Sequence, residues 1–354
     1  MKYLSVFLSA ILALSLALTN GGTSVITNGA TLTEDTRDGF VRSQLTNEWI
    51  DDSIANKRPL AVMIPDNPSA LPQYGISRAS IIYECVVESD VCRLLCLFDD
   101  YRDMDRIGNV RSARKYFVYW ALEWDPLFFH CGNVYYADEI LDHPACDNIN
   151  CVKINYGWYR VNEAGRIKTQ ALYTSTKDVE TAAEKLGYSL DHTDYFQKNH
   201  WRFSNADNEL ILSASDNYSD VFPATMVDFG DIYLHDKPYF VYNEKTGLYD
   251  RFQFGDAHID AAYDDVQLSF KNVLVQFCDA DMIDLYDHWE YHTMDGGEGY
   301  YLTNGEAIPV TWSKEDTLAP TKFYSTNGQE ITLNEGKTMV CVVNSKKASS
   351  ISFP

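Results

Sequence analysis

Short apolar runs of β-strand length, bounded by turn-forming residues, recur along this 354-residue chain. Two segments have helical spacing instead: 111–124, which ends before Pro126, and 176–186, which Thr176 can cap and Gly187 can end. Between and around these helices lie the strand-like runs 60–64, 80–87, 91–98 and 127–131. The first half therefore predicts a mixed α/β domain.

Strand-like runs dominate after about residue 210, and turn signals containing Gly separate them. The runs predicted as strands are 232–234, 239–242, 248–254, 273–277, 299–302 and 339–343. A chain of this length normally holds two domains. We predict an α+β protein, with a mixed α/β layered domain over 56–210 and a mostly antiparallel β-rich domain over 211–354.

The first residues predict export. Lys2 precedes an apolar run from Tyr3 to Leu18, and small and polar residues follow, as in a secretory signal peptide. We predict a signal peptide over 1–22, with an uncleaved anchor as the alternative, and a polar tether over 23–55. The expected location is extracytoplasmic, secreted or envelope-associated, with membrane contact only through this N-terminal segment.

The formal net charge of −22 disfavours binding to nucleic acid, because phosphates would be repelled. An acidic surface that keeps a secreted protein soluble is the simpler interpretation. The expected partner is an envelope component, either a protein or a small anionic ligand.

The chain contains eight Cys, the first of which is Cys85, and no spacing among them matches a zinc site. Cys146 and Cys151 could bridge a small loop, or the thiols could be free and buried.

The hairpin over 81–98 holds the first polar candidates. If Ser89-Asp90 is a two-residue turn, Glu84, Glu88 and Arg93 share one face of the strands. Such a group is either a structural ion pair or the charged floor of a cleft. A register shift of one residue would separate its members.

Arg111 and Arg114 open the segment predicted as the main helix, where they would share a helical face. Two arginines at a helix N-terminus can clamp a carboxylate or phosphate. They can equally satisfy Glu84 and Glu88 of the hairpin, since buried charges are normally paired.

Asp256, His258 and Asp260 alternate in sequence and would point the same way in a strand, so they could hold a divalent cation. The alternative is a solvated acidic face. We expect no other cofactor. The sequence motifs of common hydrolases, zinc proteases, P-loop proteins and dinucleotide-binding proteins are absent, and no catalytic residue is predicted.

Several ordered segments together resemble the YerB-like lipoprotein family of bacteria. They are 58–64, 66–67, 72–77, 82–84, 107–114, 172–175, 249–251, 258–260, 272–275, 311–314 and 333–337. The resemblance implies paired α+β domains at the envelope and no established activity, so it supplies no catalytic residues. It draws attention to one polar set as the predicted ligand site: Asp66, Asn67, Glu84, Glu88, Arg93, Arg111, Arg114 and His130.

The chain departs from the family pattern in three places. No Cys lies near the apolar N-terminal run, Gln170 stands where a His is expected, and Asn133-Val134 replaces a Gly-Ser pair. We expect an exported binding or scaffold protein with a charged cleft in the N-terminal domain. The alternatives are a hydrolase of an envelope or carbohydrate polymer, with Glu84 and Glu88 as its acid/base pair, and a divalent-cation-binding surface protein.

Overall fold

The computed structural model describes residues 36–162 and 165–354, together with the two short strands Ser24–Thr27 and Ala30–Thr33. The predicted signal peptide over 1–22 lies outside the described residues. Among the residues that are described, no helix combines the length and the apolar character needed to cross a membrane.

Eleven strands of the described chain form one large mixed sheet. In chain order these are β1 (Leu60–Asp66), β2 (Ile81–Val86), β3 (Cys92–Phe98), β4 (Leu127–His130), β5 (Asn148–Asn150), β6 (Phe222–Pro223), β7 (Asn272–Cys278), β8 (Gly297–Thr303), β9 (Glu306–Ser313), β10 (Lys322–Ser325) and β11 (Thr338–Asn344). Their spatial order is β5-β4-β1-β3-β2-β11-β7-β8-β9-β6, and β10 pairs with β9.

The last strand joins the two halves of the chain. β11 lies between β2 and β7 and is parallel to both, with Thr338 opposite Ile81 on one side and Asn272 on the other. Alternate residues of the central strands enter separate hydrophobic cores, as Val62 and Met63 do in β1. Both faces of the sheet are therefore covered, which explains why its central strands are apolar throughout.

The helices are α1 (Lys115–Leu122), α2 (Asp138–Leu141) and α3 (Thr176–Leu186). The predicted bounds of α3 are confirmed, although Ser175 rather than Thr176 caps it. Its end is fixed by Gly187, whose φ of 74° favours glycine. The prediction for α1 was four residues too long at its start.

Shorter elements complete the fold. The remaining strands are Phe40–Arg42, Trp49–Asp51, Ile107–Gly108, Tyr159–Arg160, Leu172–Thr174, Arg202–Phe203, Met226–Asp228, Tyr239–Asn243, Leu248–Gln253, Asp256–Ala257, Ile259–Asp260, Val266–Gln267, Ser269–Phe270, Ala280–Met282, Trp289–Tyr291 and Thr332–Leu333. The 3₁₀ turns are Asp52–Ile54, Pro68–Ala70, Ile76–Arg78, Glu88–Asp90, Tyr135–Ala137, Lys168–Gln170, Ala206–Asn208, Leu212–Ala214 and Ser345–Ser350. The chain is thus an α+β protein, as predicted.

Two predictions about secondary structure are wrong. Residues 232–234 form a turn rather than a strand, because Ile232 and Tyr233 donate their backbone N–H groups back to the Phe229 carbonyl. Strand β9 was missed, and it contains Pro309, which disfavours strand assignment from sequence.

The predicted tether over 23–55 is wrong for its second part. Leu45 is buried in one of the two cores, and the Ser43 hydroxyl donates to Asp99. Arg42 forms an ion pair with Glu335 at 2.8 Å. The polar residues of this segment therefore bind the folded body rather than solvent.

A buried ion pair also links the two halves. Glu123 follows α1, and its carboxylate accepts from Lys314 Nζ at 2.9 Å and from the Thr321 backbone N–H at 2.9 Å. His200 Nε2 lies 3.1 Å away. Burial alone would raise the pKa of Glu123, but the Lys314 ammonium and the hydrogen bonds from His200 and Lys314 lower this pKa to about 2.

We predict that Glu123 makes the stability of the fold depend on acid pH. A carboxyl group whose pKa is lowered by folding stabilises the protein above its unfolded pKa and loses that contribution as pH falls toward its folded pKa. Glu123→Gln should lower the free energy of unfolding at pH 7 by about 3 kcal/mol and by much less at pH 3. Urea unfolding at both pH values measures this, with the exposed Glu139→Gln as control. An equal loss at both pH values would contradict the prediction.

Candidate functional site

Strands β1 and β4 separate at their carboxyl ends, and an extended segment fills the fork. The two strands pair from Leu60 to Val62 of β1. Beyond that point the Arg111 N–H donates to the Met63 carbonyl, and the Cys131 N–H donates to the Arg111 carbonyl. Ligands of open α/β sheets commonly bind where strands separate at this edge. The fork therefore positions residues 111–114 at an edge of the sheet where ligands commonly bind.

Three arginines and one glutamate meet at this fork, and we call Glu88, Arg93, Arg111 and Arg114 the arginine group. Arg114 donates to Glu88 through Nε and lies in ion-pair contact with it through Nη2, and Arg93 Nη2 lies 3.9 Å from the same carboxylate. Arg93 also donates to the Ser112 carbonyl at 2.5 Å, and Arg111 to the Thr169 carbonyl at 3.2 Å. The structure thus brings together four of the predicted site residues.

The charges of the arginine group do not balance. In the part of the chain that the structure describes, Glu88 is the one carboxylate within 4 Å of any of the three guanidiniums. Arg93 and Arg114 are buried. Burial, and then the positive charges of Arg114 and Arg111, lower the pKa of Arg93 to about 9 despite Glu88. The group therefore holds an excess of positive charge in a place where water screens it poorly.

Two residues that the sequence did not indicate border the arginine group. His288 Nε2 lies 3.1 Å from Glu88, and its Nδ1 lies 2.6 Å from Asp284. The ring of Tyr136 meets the His288 ring edge-on at 5.4 Å, and the buried Tyr136 hydroxyl has no hydrogen-bond partner in the described part of the chain. His288 belongs to the C-terminal half, so both halves of the chain border the group.

The predicted register of the hairpin is wrong by one residue. Glu84 lies opposite Leu94 and Cys85 lies opposite Arg93, because the turn has three residues, Glu88–Asp90, rather than two. Glu84 and Arg93 therefore occupy opposite faces of the sheet. The predicted grouping of Glu84 with Glu88 and Arg93 does not form.

Glu84 lies instead in a fully buried group between the two halves, which we call the interface cluster: Asp66, Glu84, Cys92, Asp236 and Arg251. Arg251 Nη2 lies 2.6 Å from Glu84, 3.3 Å from Asp66 and 3.9 Å from Asp236. Arg251 was not among the predicted site residues. The sequence feature that could have indicated Arg251 is its place at a buried position of Leu248–Gln253, a strand in which buried and partly exposed residues alternate.

A shell of polar side chains surrounds Arg251. Its Nη1 donates to Gln253 at 2.7 Å and contacts His258 Nδ1. His258 contacts Gln73 through Nε2, and Gln73 donates to the Pro65 carbonyl at 2.7 Å. Burial and the Arg251 charge hold the pKa of His258 well below its usual range. His258 is therefore a neutral hydrogen-bonding residue of the interface.

The predicted metal site of Asp256, His258 and Asp260 is wrong. Asp256 is exposed, whereas His258 is buried against Arg251. Asp260 accepts from the backbone N–H groups of Gly75 and Ser77, each at 2.8 Å, and so anchors a loop of the N-terminal half. The extended segment is interrupted at His258, so the three side chains do not share one face.

Asn67 and His130 belong to neither group, although Asn67 directly follows Asp66 in the chain. Asn67 Oδ1 accepts from the Ser69 hydroxyl at 2.7 Å, and Gln170 Nε2 lies 3.5 Å from it. His130 is buried at the end of β4, where Nδ1 lies 2.9 Å from the Gly132 carbonyl and Nε2 lies 3.2 Å from Asn148. Burial lowers the pKa of His130. Its contacts are those of a structural residue.

A pocket of about 240 Å³ lies away from the arginine group. It opens between Ile76–Ala79 and Val266–Phe270, and Lys337 forms part of its wall. Lys337 Nζ donates to the Ser77 carbonyl. None of the predicted site residues lines this pocket.

The thiols of Cys131 and Cys151 meet beside the fork. Parallel pairing of β4 with β5 ends at His130 opposite Asn150, so the next residue of each strand is a cysteine. A hydrogen bond from Cys151 lowers the pKa of Cys131 to about 7, although burial opposes this. Of the two alternatives for Cys146 and Cys151, the structure has both thiols free, and a bridge between them would have to compete with Cys131 for Cys151.

We predict that mild oxidation links Cys131 to Cys151. Oxidised glutathione would accept two electrons and two protons from the two thiols and leave as two molecules of glutathione. Peptide mapping after alkylation should find this bond and a free Cys146, and Cys131→Ser should leave Cys151 without an intramolecular partner. A bond between Cys146 and Cys151 in the wild-type chain would contradict the prediction.

Comparisons with known proteins identify the same two halves. The N-terminal domain described as protein of unknown function (DUF3048) matches residues 45–189, and the C-terminal domain of that description matches 230–340. The "Putative lipoprotein YerB" of Bacillus subtilis (strain 168) is 26% identical over 313 residues, which is 88% of this chain and 89% of the relative.

The crystal structure of YerB protein from Bacillus subtilis has a similar fold. It matches with a TM-score of 0.73 at 24% identity, over 88% of this chain and 99% of that chain. The predicted similarity to the YerB-like family is confirmed. The predicted division at residue 210 falls between the two matched domains.

Proposed function

The chain belongs to the DUF3048 family of proteins of unknown function, and on that premise we propose that it is an exported, envelope-associated protein that binds a small anionic group, a phosphate or a carboxylate, at the arginine group. The name of its Bacillus subtilis relative, a lipoprotein, supports the location. The export itself rests on the apolar run at the start of the sequence.

The unbalanced charge of the arginine group carries this proposal. Two of its three guanidiniums are buried, and Glu88 is the one carboxylate of the described chain that contacts them. Burying like charges together costs several kcal/mol unless an opposite charge is near. A bound anion would supply that charge, and guanidinium forks match the oxygens of phosphate and carboxylate.

The surroundings of the group favour a small ligand. The chain as a whole has a net charge of −22, so a long polyanion would be repelled by the rest of the surface. A small anion has only to reach Arg111, which is less buried than its two neighbours. The charge of Arg111 acts on Arg93, so an anion held at Arg111 would also offset the charge of the buried pair.

The hydrolase alternative has no supporting geometry. Glu84 is fully buried and bound to Arg251, whereas Glu88 is held by Arg114 at the other face of the sheet. An acid/base pair must address one substrate bond from both sides. Glu84 and Glu88 do not share a space in which a sugar could lie.

We predict that Arg111→Ala weakens anion binding without unfolding the chain. Within the described residues the side chain of Arg111 makes one hydrogen bond, to the Thr169 carbonyl, so little stability depends on it. Loss of a charge-assisted hydrogen bond should raise the Kd for phosphate roughly tenfold or more. Isothermal titration calorimetry with phosphate and with succinate at low ionic strength measures this and separates the two chemistries. Arg102→Ala removes an exposed arginine elsewhere and should change nothing.

Glu88→Gln should change anion binding in the direction opposite to Arg111→Ala. It removes the negative charge of the group, so we expect tighter anion binding and a Tm that falls in anion-free buffer but recovers when phosphate or succinate is added. If the wild-type chain and Glu88→Gln both bind neither anion at millimolar concentration, the arginine group is purely structural and the proposal fails.

A further inference from the structure

The interface cluster contains more negative charge than its one arginine neutralises. Asp66, Glu84 and Asp236 are all fully buried, and Arg251 is the single cation within 4 Å of them in the described chain. Buried charges without compensation cost several kcal/mol each. A further positive charge, either bound protons or a metal ion, is therefore required for this cluster to be stable.

The oxygens that lack a partner belong to two carboxylates of the cluster, Asp236 and Glu84. Among the described residues, both oxygens of Asp236 and the Oε2 oxygen of Glu84 have no hydrogen-bond partner. Arg251 reaches the other oxygen of Glu84, at 2.6 Å, and lies 3.9 Å from Asp236, which is too far for a hydrogen bond. Buried carboxylate oxygens in native proteins are almost always hydrogen-bonded or bound to a cation.

A thiol completes this arrangement. The Cys92 sulfur, one oxygen of Glu84 and one of Asp236 all lie within 4.8 Å of one another. Cys92 and Glu84 project from β3 and β2 on the same face of the sheet, while Asp236 comes from the loop before the strand Tyr239–Asn243. The three donors thus converge from both halves of the chain.

We propose that Glu84, Cys92 and Asp236 bind a thiophilic divalent cation of the zinc class at the interface between the two halves. One thiolate and two carboxylates are donors that zinc accepts at three of its four positions. Calcium and magnesium fit poorly, because they require six or more oxygen ligands and do not favour sulfur. Arg251 would then fix the outer oxygen of Glu84, as residues around metal ligands commonly do.

The competing compensation is a proton shared by Glu84 and Asp236. Burial, and then the charges of Glu84 and Asp66, raise the pKa of Asp236 well above its usual range, so the cluster does not hold all its carboxylates ionised without help. A proton satisfies two oxygens and leaves the Cys92 thiol unused. A metal ion engages both carboxylates and the thiol, and this difference makes the two compensations separable by experiment.

Metal content and cobalt spectroscopy test the proposal. The full chain, refolded with zinc and dialysed, should retain roughly one zinc per chain by mass spectrometry of the metals. Refolding with Co²⁺ should give the near-ultraviolet charge-transfer band of a thiolate–cobalt bond. Cys92→Ser should lose that band and reduce the retained metal at least about tenfold.

Cys96→Ser is the matched control, because Cys96 lies four residues further along the same strand, is equally buried and is outside the cluster. It should keep both the metal and the band. Asp236→Asn, which retains the size of the side chain, should lose the metal and serves if Cys92→Ser does not fold. A wild-type chain that retains neither zinc nor cobalt would overturn the proposal in favour of the shared proton. Metal that persists in a folded Cys92→Ser chain would overturn it as well.

Discussion

The buried guanidinium of Arg251 is the interaction on which the arrangement of the two halves depends. It comes from a strand of the C-terminal half and contacts Asp66 and Glu84 of the N-terminal half. Taking such charges out of water is costly, and the cost is offset only when donor and acceptors are placed correctly. The cluster therefore permits one docking of the halves and penalises others strongly.

Other contacts between the two halves also fix how they dock. β11 inserts between β2 and β7, so the hydrogen bonds of one sheet run through both family domains. Asp260 holds the loop at Gly75, and Glu123 holds Lys314. The arginine group, by contrast, lies at the fork of β1 and β4, where the backbone pairing ends. The shared sheet thus supports a candidate site built from extended backbone.

The sequence predicted the fold class and most strands, because apolar runs and turn residues act locally. It predicted that Glu88, Arg93, Arg111 and Arg114 matter, since charged residues beside buried strands are conspicuous. The prediction for the hairpin failed because one additional residue in its turn changes the face of the sheet on which a side chain lies. Glu84 therefore lies at the interface between the halves, and Arg93 lies at the fork. Arg251 and Asp236 were also missed, because their contacts with Asp66, Glu84 and Cys92 join residues far apart in the chain and leave no periodic signal in one sequence.

The central claim is that buried charge and a shared sheet make the two family domains one cooperative unit. Differential scanning calorimetry of the chain tests this most directly, since a cooperative unit unfolds with equal calorimetric and van't Hoff enthalpies. We expect one transition for the wild-type chain and its separation or broadening in Arg251→Met. Two well-separated transitions in the wild-type chain would contradict it, because the domains would then unfold independently.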